Sequence, residues 1–470
     1  MTLPPVPRAL RRLFSVIVIQ MSVVAVAVAD DAQSVAGPVG ADTAAIVARQ
    51  HLARLGQADA CTVGDVRELR DAEADRILCY CFDLLPRGYI IVAGDTALPP
   101  VIAYAFENDA GCDLAPGNPL ADVLQWDLHR RFAHAVELPA DVAARQRAAW
   151  AAYLNPGAPR GGRFEQWPPA GTTPTGGWLL TNWTQSAPYN NLCPMDLVAG
   201  ARSIAGCPAV AMAQILNYHA RLNGTTFADA DDYYHSYGGN NFWIDNAFLA
   251  RSFPSWPMLN TYLNTLFGNY FYGTTPTNTS KAALVYACGA AAHQVYSASG
   301  SGTFEVAQAF SGLQRFGCTT AELLVESDPD LETRIAANMQ AAAPALLAVV
   351  NEAWTVGHNL VIDGYNTDNY YHLNFGWGGS YNGWYQLLVG LPYQLTVIEG
   401  VVVDILTEPC ELMDCNCSGS VNWTDFTYFA PNLAGPGVVY TAPGCAAFDA
   451  NVDGDVDLAD FGAFQTTFGT

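Results

Sequence analysis

The spacing of apolar and polar residues divides this chain before any chemistry is considered. Residues 44–55 are patterned as a helix, and residues 77–82 and 88–93 as strands. The run Gly88-Tyr89-Ile90-Ile91-Val92-Ala93 predicts a buried strand that ends in a Gly94-Asp95 turn. A long helical pattern follows over 119–154. Residues 155–177 then become dense in Pro, Gly and Thr, which predicts a loop or linker, with Arg160 and Arg163 marking a candidate cleavage region. A second helix is expected to start at Cys207. Pro208 suits its first turn, where a missing N–H has no consequence, and Met212, Ile215, Leu216 and His219 follow at helical spacing. Residues 360–405 read as hairpins, with turns at 366–369 and 378–383. A helical half followed by a β-rich half predicts an α+β fold.

Composition sharpens this picture. A chain of 470 residues is expected to hold two or three domains, and its 41 Gly and 28 Pro imply many turns. The formal charge of −23 leaves no basic stripe for phosphates, so nucleic acid is excluded as a partner. Lys281 is the sole lysine. At the N-terminus, Arg8, Arg11 and Arg12 precede an apolar run over 13–28 that closes in Ala27-Val28-Ala29, the pattern of an export signal. The run is shorter than the ~20 residues a membrane span needs. The mature protein is therefore expected to be secreted, with no membrane span. Export permits disulfides among the 12 cysteines. A reduced Cys207 would leave an odd number, so at least one further thiol stays free or pairs outside the chain.

Four residues in order suggest chemistry: Gln185, Cys207, His358 and Asn374. Hydrolysis through a thiol requires a thiolate, an imidazole, a group that orients the imidazole, and an amide donor for the oxyanion. Cys207 stands at a predicted helix N-terminus, which lowers a thiol pKa, and His358 would complete the activation. Asn374 would fix the imidazole, and Gln185 would donate to the oxyanion beside the Cys207 N–H. Each residue also has an ordinary reading: a small buried hydrophobe, a strand histidine, a turn amide, a loop contact. Their joint order favours catalysis. His219 is expected to pack on its helix, His372 to alternate on a strand, and Ser299-Gly300-Ser301-Gly302 to be loop.

Residues 178–405 resemble the streptopain family of papain-fold cysteine peptidases. The resemblance rests on Thr181-Asn182-Trp183-Thr184-Gln185, on the run from Gly206 through Ala211-Met212-Ala213-Gln214 to His219, and on Gly357-His358. It also rests on Asp363-Gly364-Tyr365 and on Asn374-Phe375-Gly376-Trp377-Gly378-Gly379. It implies a two-lobed papain-like domain in a secreted zymogen, with Cys207 as nucleophile, His358 as base, Gln185 as oxyanion donor and Asn374 as orienting amide. The first unit is similar to the family's inhibitory propeptide through Gly88–Asp95 and Pro99-Pro100-Val101-Ile102-Ala103-Tyr104. Pro208, Val210 and Phe375 depart from the family pattern without removing a catalytic group.

The last 65 residues hold nine acids and neither Lys nor Arg. Two twelve-residue loops begin at Asp414 and Asp449. The second places Asp449, Asn451, Asp453 and Asp460 at calcium-loop positions 1, 3, 5 and 12, with Gly454 at the turn and Asp455 offering its carbonyl. The first keeps Asp414, Asn416, Ser418 and Asp425, with Ser420 at the carbonyl position, and carries less charge. This tail resembles dockerin modules, which implies a small helical domain, Ca2+ and a cohesin-like partner. The expected organisation is a signal at 1–29, an α/β propeptide at 30–160, a linker at 161–177, a peptidase at 178–406 and the tail at 407–470. Catalysis is expected to need no cofactor. The expected function is a cysteine endopeptidase acting on protein or peptide substrates and held by its own propeptide. The rivals are a transpeptidase or amidase using the same thioester, and a silent scaffold acting through the tail.

Overall fold

The computed structural model describes residues 37–71, 75–107, 140–155, 164–351, 353–387, 397–405 and 410–469, with single positions between 112 and 135. The expected signal at 1–29 lies outside them, as do residues 156–163 of the Pro/Gly segment.

The first unit opens with helix α1 (Ala41–Arg54), whose Ala44, Val47, Ala48, His51 and Leu52 form one buried face. Four antiparallel strands follow: β1 (Thr62–Asp71), β2 (Arg76–Leu85), β3 (Tyr89–Ala93) and β4 (Val101–Ala105). Strands β3 and β4 are buried along their whole length, which explains their unbroken apolar sequence. Gly88 has φ +104°, and a Cβ there would lie 2.2 Å from the Ala105 carbonyl oxygen, so the entry to β3 admits glycine alone. Helix α2 (Ala140–Leu154) forms the second half of the helical pattern expected from residue 119. Trp150 on α2 donates to the Leu98 carbonyl at 2.7 Å.

The second unit begins with β5 (Gln166–Trp167), the short pair β6 (Met195–Asp196) and β7 (Ala201–Arg202), and helix α3 (Cys207–His219). Next come the hairpin β8 (Tyr233–Tyr237) and β9 (Asn240–Ile244), then helices α4 (Phe248–Arg251), α5 (Trp256–Phe271), α6 (Asn278–Ala291) and α7 (Val306–Arg315). Strand β10 (Glu322–Leu324) and helix α8 (Leu331–Gln340) lead into β11 (Ala345–Val350), β12 (Gly357–Asn366), β13 (Tyr371–Asn374), β14 (Gly383–Tyr385) and β15 (Val397–Val403). The tail contributes α9 (Trp423–Asn432) and α10 (Leu458–Thr467). The α+β expectation therefore holds, with a helical lobe over 207–315 and a sheet lobe after it.

Both units share one sheet of eleven strands. Its order is β1-β2-β3-β4-β14-β13-β12-β11-β15-β10, with β5 added on β12. The join is β4 on β14, where Tyr104 faces Trp384 and Ala103 faces Tyr385. Side chains alternate across the sheet. Leu346, Ala348, Val361 and Val402 face the helical lobe, while Leu347, Val349, Leu360, Ile362 and Val401 belong to the core shared with the first unit. Burial on both faces explains why 345–350 is apolar without alternation.

The linker expected over 161–177 is corrected from Phe164 onward. Trp167 pairs with Tyr365, Thr367 N–H donates to the Glu165 carbonyl at 3.0 Å, and Trp178 N–H donates to the Asp363 carbonyl at 2.7 Å. The buried Asp363 also pairs with His372 Nδ1 at 2.6 Å and accepts from Leu179 N–H at 3.0 Å. A Cβ on Gly177 would fall 2.1 Å from the Asp363 carboxylate, so the glycines here permit close approach to a sheet, not looseness. Cysteines 81 and 112 are joined, as are 410 and 417, while Cys61, Cys193, Cys207, Cys288, Cys318, Cys415 and Cys445 are free thiols. Among the described residues, no helix is long and apolar enough to cross a membrane.

The seam between the units encloses a histidine. His51 is fully buried, bonds Tyr153 Oη through Nδ1 at 2.8 Å, and meets the Tyr104 ring edge-on at 4.5 Å; Arg54 pairs with Asp368 nearby. Burial first, and then the Arg54 charge, pull its pKa down to about 3. Between pH 6.5 and 3 the unfolded chain takes up a proton that the folded chain refuses. Stability is therefore full at neutral pH and falls with acidity by up to about 1.4 kcal/mol per unit. A His51→Phe chain should lose part of this dependence, giving a shallower fall in thermal midpoint between pH 6.5 and 4.5; an unchanged slope would show that His51 does not set it.

Candidate active site

Helix α3 fixes the first functional group. Its N-cap, Gly206, has φ +87°, and a Cβ there would come within 2.5 Å of Gln294 Oε1. Cys207 is the first helical residue and Pro208 the next, and no acidic side chain occupies the first turn. The positive end of the helix thus faces Cys207 uncompensated. The approach to it is pinned from three sides. Ala205 N–H donates to the Gln185 carbonyl at 2.8 Å, Ala205 O accepts from Gln294 Nε2 at 2.7 Å, and Ile204 N–H donates to Ser297 O at 3.1 Å. The Gln185 main chain is thereby tied to the residue two positions before Cys207.

Strand β12 supplies the imidazole. His358 is buried at 6% exposure, stacked on Trp377 at 4.5 Å and nearly parallel to Phe375 at 6.1 Å. Its Nε2 lies 2.8 Å from the Phe375 carbonyl. A carbonyl only accepts, so Nε2 carries the hydrogen and Nδ1 keeps its lone pair. The ring is therefore set in the tautomer a base needs.

Asn374 does not orient that ring. Its Oδ1 accepts from Gln214 Nε2 at 3.2 Å and Gly376 N–H at 3.1 Å, and its Nδ2 donates to Thr181 O at 2.9 Å. Gln214 in turn accepts from Thr181 Oγ1 and Trp183 N–H through Oε1. Asn374 and Gln214 thus tie β13, α3 and the segment that leads to Gln185. The orienting contact belongs to the next residue's main chain, which carries no side-chain signature in sequence. Gln214 stood in a recognisable run and Asn359 stands beside His358; Gln294 gave no signal at all.

The sulfur and the imidazole rest unpaired with each other. Cys207 is half-buried and lies against Asn359, with no hydrogen bond between Cys207 and His358 among the described residues. Burial raises the Cys207 pKa, and the Asn359 contacts oppose this only in part. Burial lowers His358 to about 4, against the opposing pull of the Phe375 carbonyl. Burial thus favours the neutral form of each group, thiol and imidazole.

The tail places its expected ligands in two matching loops. In the first, Ser418 N–H donates to Asp414 Oδ1 at 3.0 Å and Gly419 N–H to Asp414 Oδ2 at 2.7 Å. In the second, Asp453 and Gly454 make the same pair of bonds to Asp449 at 3.1 and 2.9 Å. Asp425 accepts from Cys415 and Asn422, and Asp460 from Ala450 and Asp457, in the same relation. Asn416 and Asn451 each accept from the residue two positions on, and Ser420 bonds Ser418 and Asn422. Asp455, Asp457 and Asp460 bring carboxylate oxygens within 4.8 Å of one another. Asp457 was not foreseen as a member, and Asp455 joins by its side chain, where only its carbonyl was expected. Asp455 Oδ2 accepts from Gly437 N–H at 2.5 Å, whereas its buried Oδ1 has no partner. An orphaned buried carboxylate oxygen within an oxygen-only group fits a hard divalent cation.

These assignments predict that Asn374→Ala lowers stability by about 2–3 kcal/mol, from loss of three buried hydrogen bonds. The pH at which Cys207 becomes reactive should not change, because the Phe375 carbonyl holds the ring; thermal unfolding and an alkylation profile check both halves.

Comparison with known proteins accords with this geometry. Residues 183–385 match the Peptidase C10 family, and residues 36–126 match the Spi protease inhibitor family. Streptopain of Streptococcus pyogenes serotype M1 is 28% identical over 226 residues, covering 44% of this chain and 53% of streptopain. The chain thus spans about half the length of the streptopains it matches. The thiol protease/hemagglutinin PrtT of Porphyromonas gingivalis is 24% identical over 207 residues, covering 43% of this chain and 22% of PrtT. Among solved structures, a fragment of Prevotella intermedia prointerpain A aligns with TM-score 0.49 and 20% identity, over 74% of this chain and 100% of the fragment. Residues 183–385 are thus similar to the Peptidase C10 family, and residues 36–126, ahead of them on the same polypeptide, to the Spi protease inhibitor family.

Proposed function

We propose that this chain is the zymogen of a secreted cysteine endopeptidase that acts on protein or peptide substrates. The observation that carries the proposal is Cys207 at an uncompensated helix N-terminus beside the strand that presents His358 with Nδ1 unprotonated. The Spi segment serves as the intramolecular inhibitor. Its β4 continues the peptidase sheet on β14, and its core is continuous with that of the sheet lobe. Cleavage within 156–163 releases it, and the N-terminal export pattern directs the precursor outside the cell.

In the mature enzyme His358 Nδ1 takes the proton of the Cys207 thiol. The thiolate attacks the peptide carbonyl, and the Gln185 amide and the Cys207 N–H stabilise the oxyanion. His358 then protonates the leaving amine as the C–N bond breaks. Water, deprotonated by His358, hydrolyses the thioester and restores the thiol. No step calls for a cofactor.

The tail is assigned a structural role with Ca2+. Asp449, Asn451, Asp453, Asp455, Asp457 and Asp460 would hold one ion, and Asp414, Asn416, Ser418, Ser420 and Asp425 a weaker second. The cation offsets repulsion among the clustered carboxylates and orders the loops. The exposed side of the tail, with Trp423 and Leu458 at the starts of its two helices, is the candidate surface for a cohesin-like partner.

Cys207→Ala should leave a folded, unprocessed precursor with no peptide-cleaving activity, read by mass spectrometry of the secreted protein and a peptide assay. Cleavage retained in that variant would remove the assignment.

A further inference from the structure

The dockerin resemblance suggests a tethered module, yet the tail is packed into the peptidase. Phe271, the last residue of α5, is 2% exposed and lies in the tail's own core with Met413, Cys415, Val421, Phe429, Phe448 and others. Its ring sits 4.9 Å from Tyr428 and 5.9 Å from Phe448, and Phe267, one turn earlier, meets Tyr428 edge-on at 5.0 Å. Glycines mark close contact on both sides of the seam. A Cβ on Gly444 of the tail would lie 2.1 Å from the Phe271 ring, and one on Gly224 of the helical lobe 2.5 Å from Ser418 Cβ.

Core residues and cation ligands alternate along the tail. Met413 and Cys415 flank Asp414, Phe448 precedes Asp449, and Val456 lies between Asp455 and Asp457. Fixing the ligands therefore fixes the core that receives Phe271. A unit of this size, with one short disulfide, has little apolar surface of its own to bury and needs a staple. Without a cation, Asp455, Asp457 and Asp460 crowd like charges within 4.8 Å, and Asp455 Oδ1 stays buried without a partner.

We infer that the tail is a cation-dependent clamp on the helical lobe, with Phe271 as the lobe's plug in the tail core and the turn at 222–226 gripped by the first loop. This rests on the calcium reading of the tail and extends it. Occupancy of the loops is transmitted to the end of α5 and to the turn that follows α3, the helix that carries Cys207 at its other end. Calcium thus stabilises the peptidase lobe itself, whatever the tail binds elsewhere.

The test is hydrogen exchange of the full chain in Ca2+ and in chelator, with calorimetric titration of Ca2+ into the same preparation. With Ca2+ at about a hundred times its Kd, amides in 263–273 and 222–226 should gain protection by up to about a hundredfold, together with 449–460. Amides of β11 and β12 should not change. In Gly444→Val the titration heat should remain while 263–273 no longer responds; Phe271→Ala is the second variant for the same purpose. Binding heat with protection at 449–460 but none at 263–273 or 222–226 in the unsubstituted chain would overturn the clamp and leave the calcium reading intact. No heat and no protection anywhere would remove both.

Discussion

The packing of helix α3 against strand β12 is the constraint from which the site follows. One element ends in a positive helix terminus with a sulfur on it, and the other begins with an imidazole. They are some 150 residues apart in sequence, so no local preference brings them together. Val361 on β12 and the buried residues of α3 share one core, and the Gln214–Asn374 bond at 3.2 Å adds a polar link from α3 to the neighbouring strand β13. Dispersion and burial hold the two elements together, and the amide pair selects their relative position. The Phe375 carbonyl then fixes the ring's tautomer within that frame.

The N-terminal segment is built into the sheet of the second unit. By adding four strands to the edge at β14, it makes the sheet of the second unit and its own sheet a single body with a shared core. Main-chain pairing across β4 and β14 carries little sequence information, which lets the joint depend on backbone geometry and on the aromatic pair Tyr104 and Trp384, stacked at 6.1 Å. In this joined state burial pushes the Cys207 thiol up and pulls His358 down to about 4, which favours the neutral form of each. The tail follows a related logic, because its core is completed by a residue of the peptidase lobe.

Much of this was legible in the chain. The helix at Cys207 was readable because Pro208 and the Met212, Ile215, Leu216 spacing both point to it, and β3 because its apolar run is bounded by Gly88 and Gly94. The loops of the tail were readable because ligand spacing is a local property. What escaped were features that depend on distant partners. The Phe375 carbonyl leaves no trace in residue type. Residues 164–177 look like linker because glycine and proline serve both looseness and close contact, and only Asp363, far along the chain, decides between them. Strand β15 was expected in a hairpin series but pairs beside β11, a non-local choice made by the sheet. Phe271 reads as one more apolar helix position until the tail is in place around it.

The central claim is that Cys207 and His358 become an ion pair once the N-terminal segment leaves. The direct measurement is the pH dependence of Cys207 alkylation, followed at the Cys207 peptide by mass spectrometry, before and after release of that segment. The account predicts a rate in the full chain that rises only above the free-thiol value of about 8.5. In the released enzyme it predicts a plateau reaching down into the acidic range and abolished by His358→Ala. Identical profiles before and after release, or a released profile indifferent to His358→Ala, would contradict it.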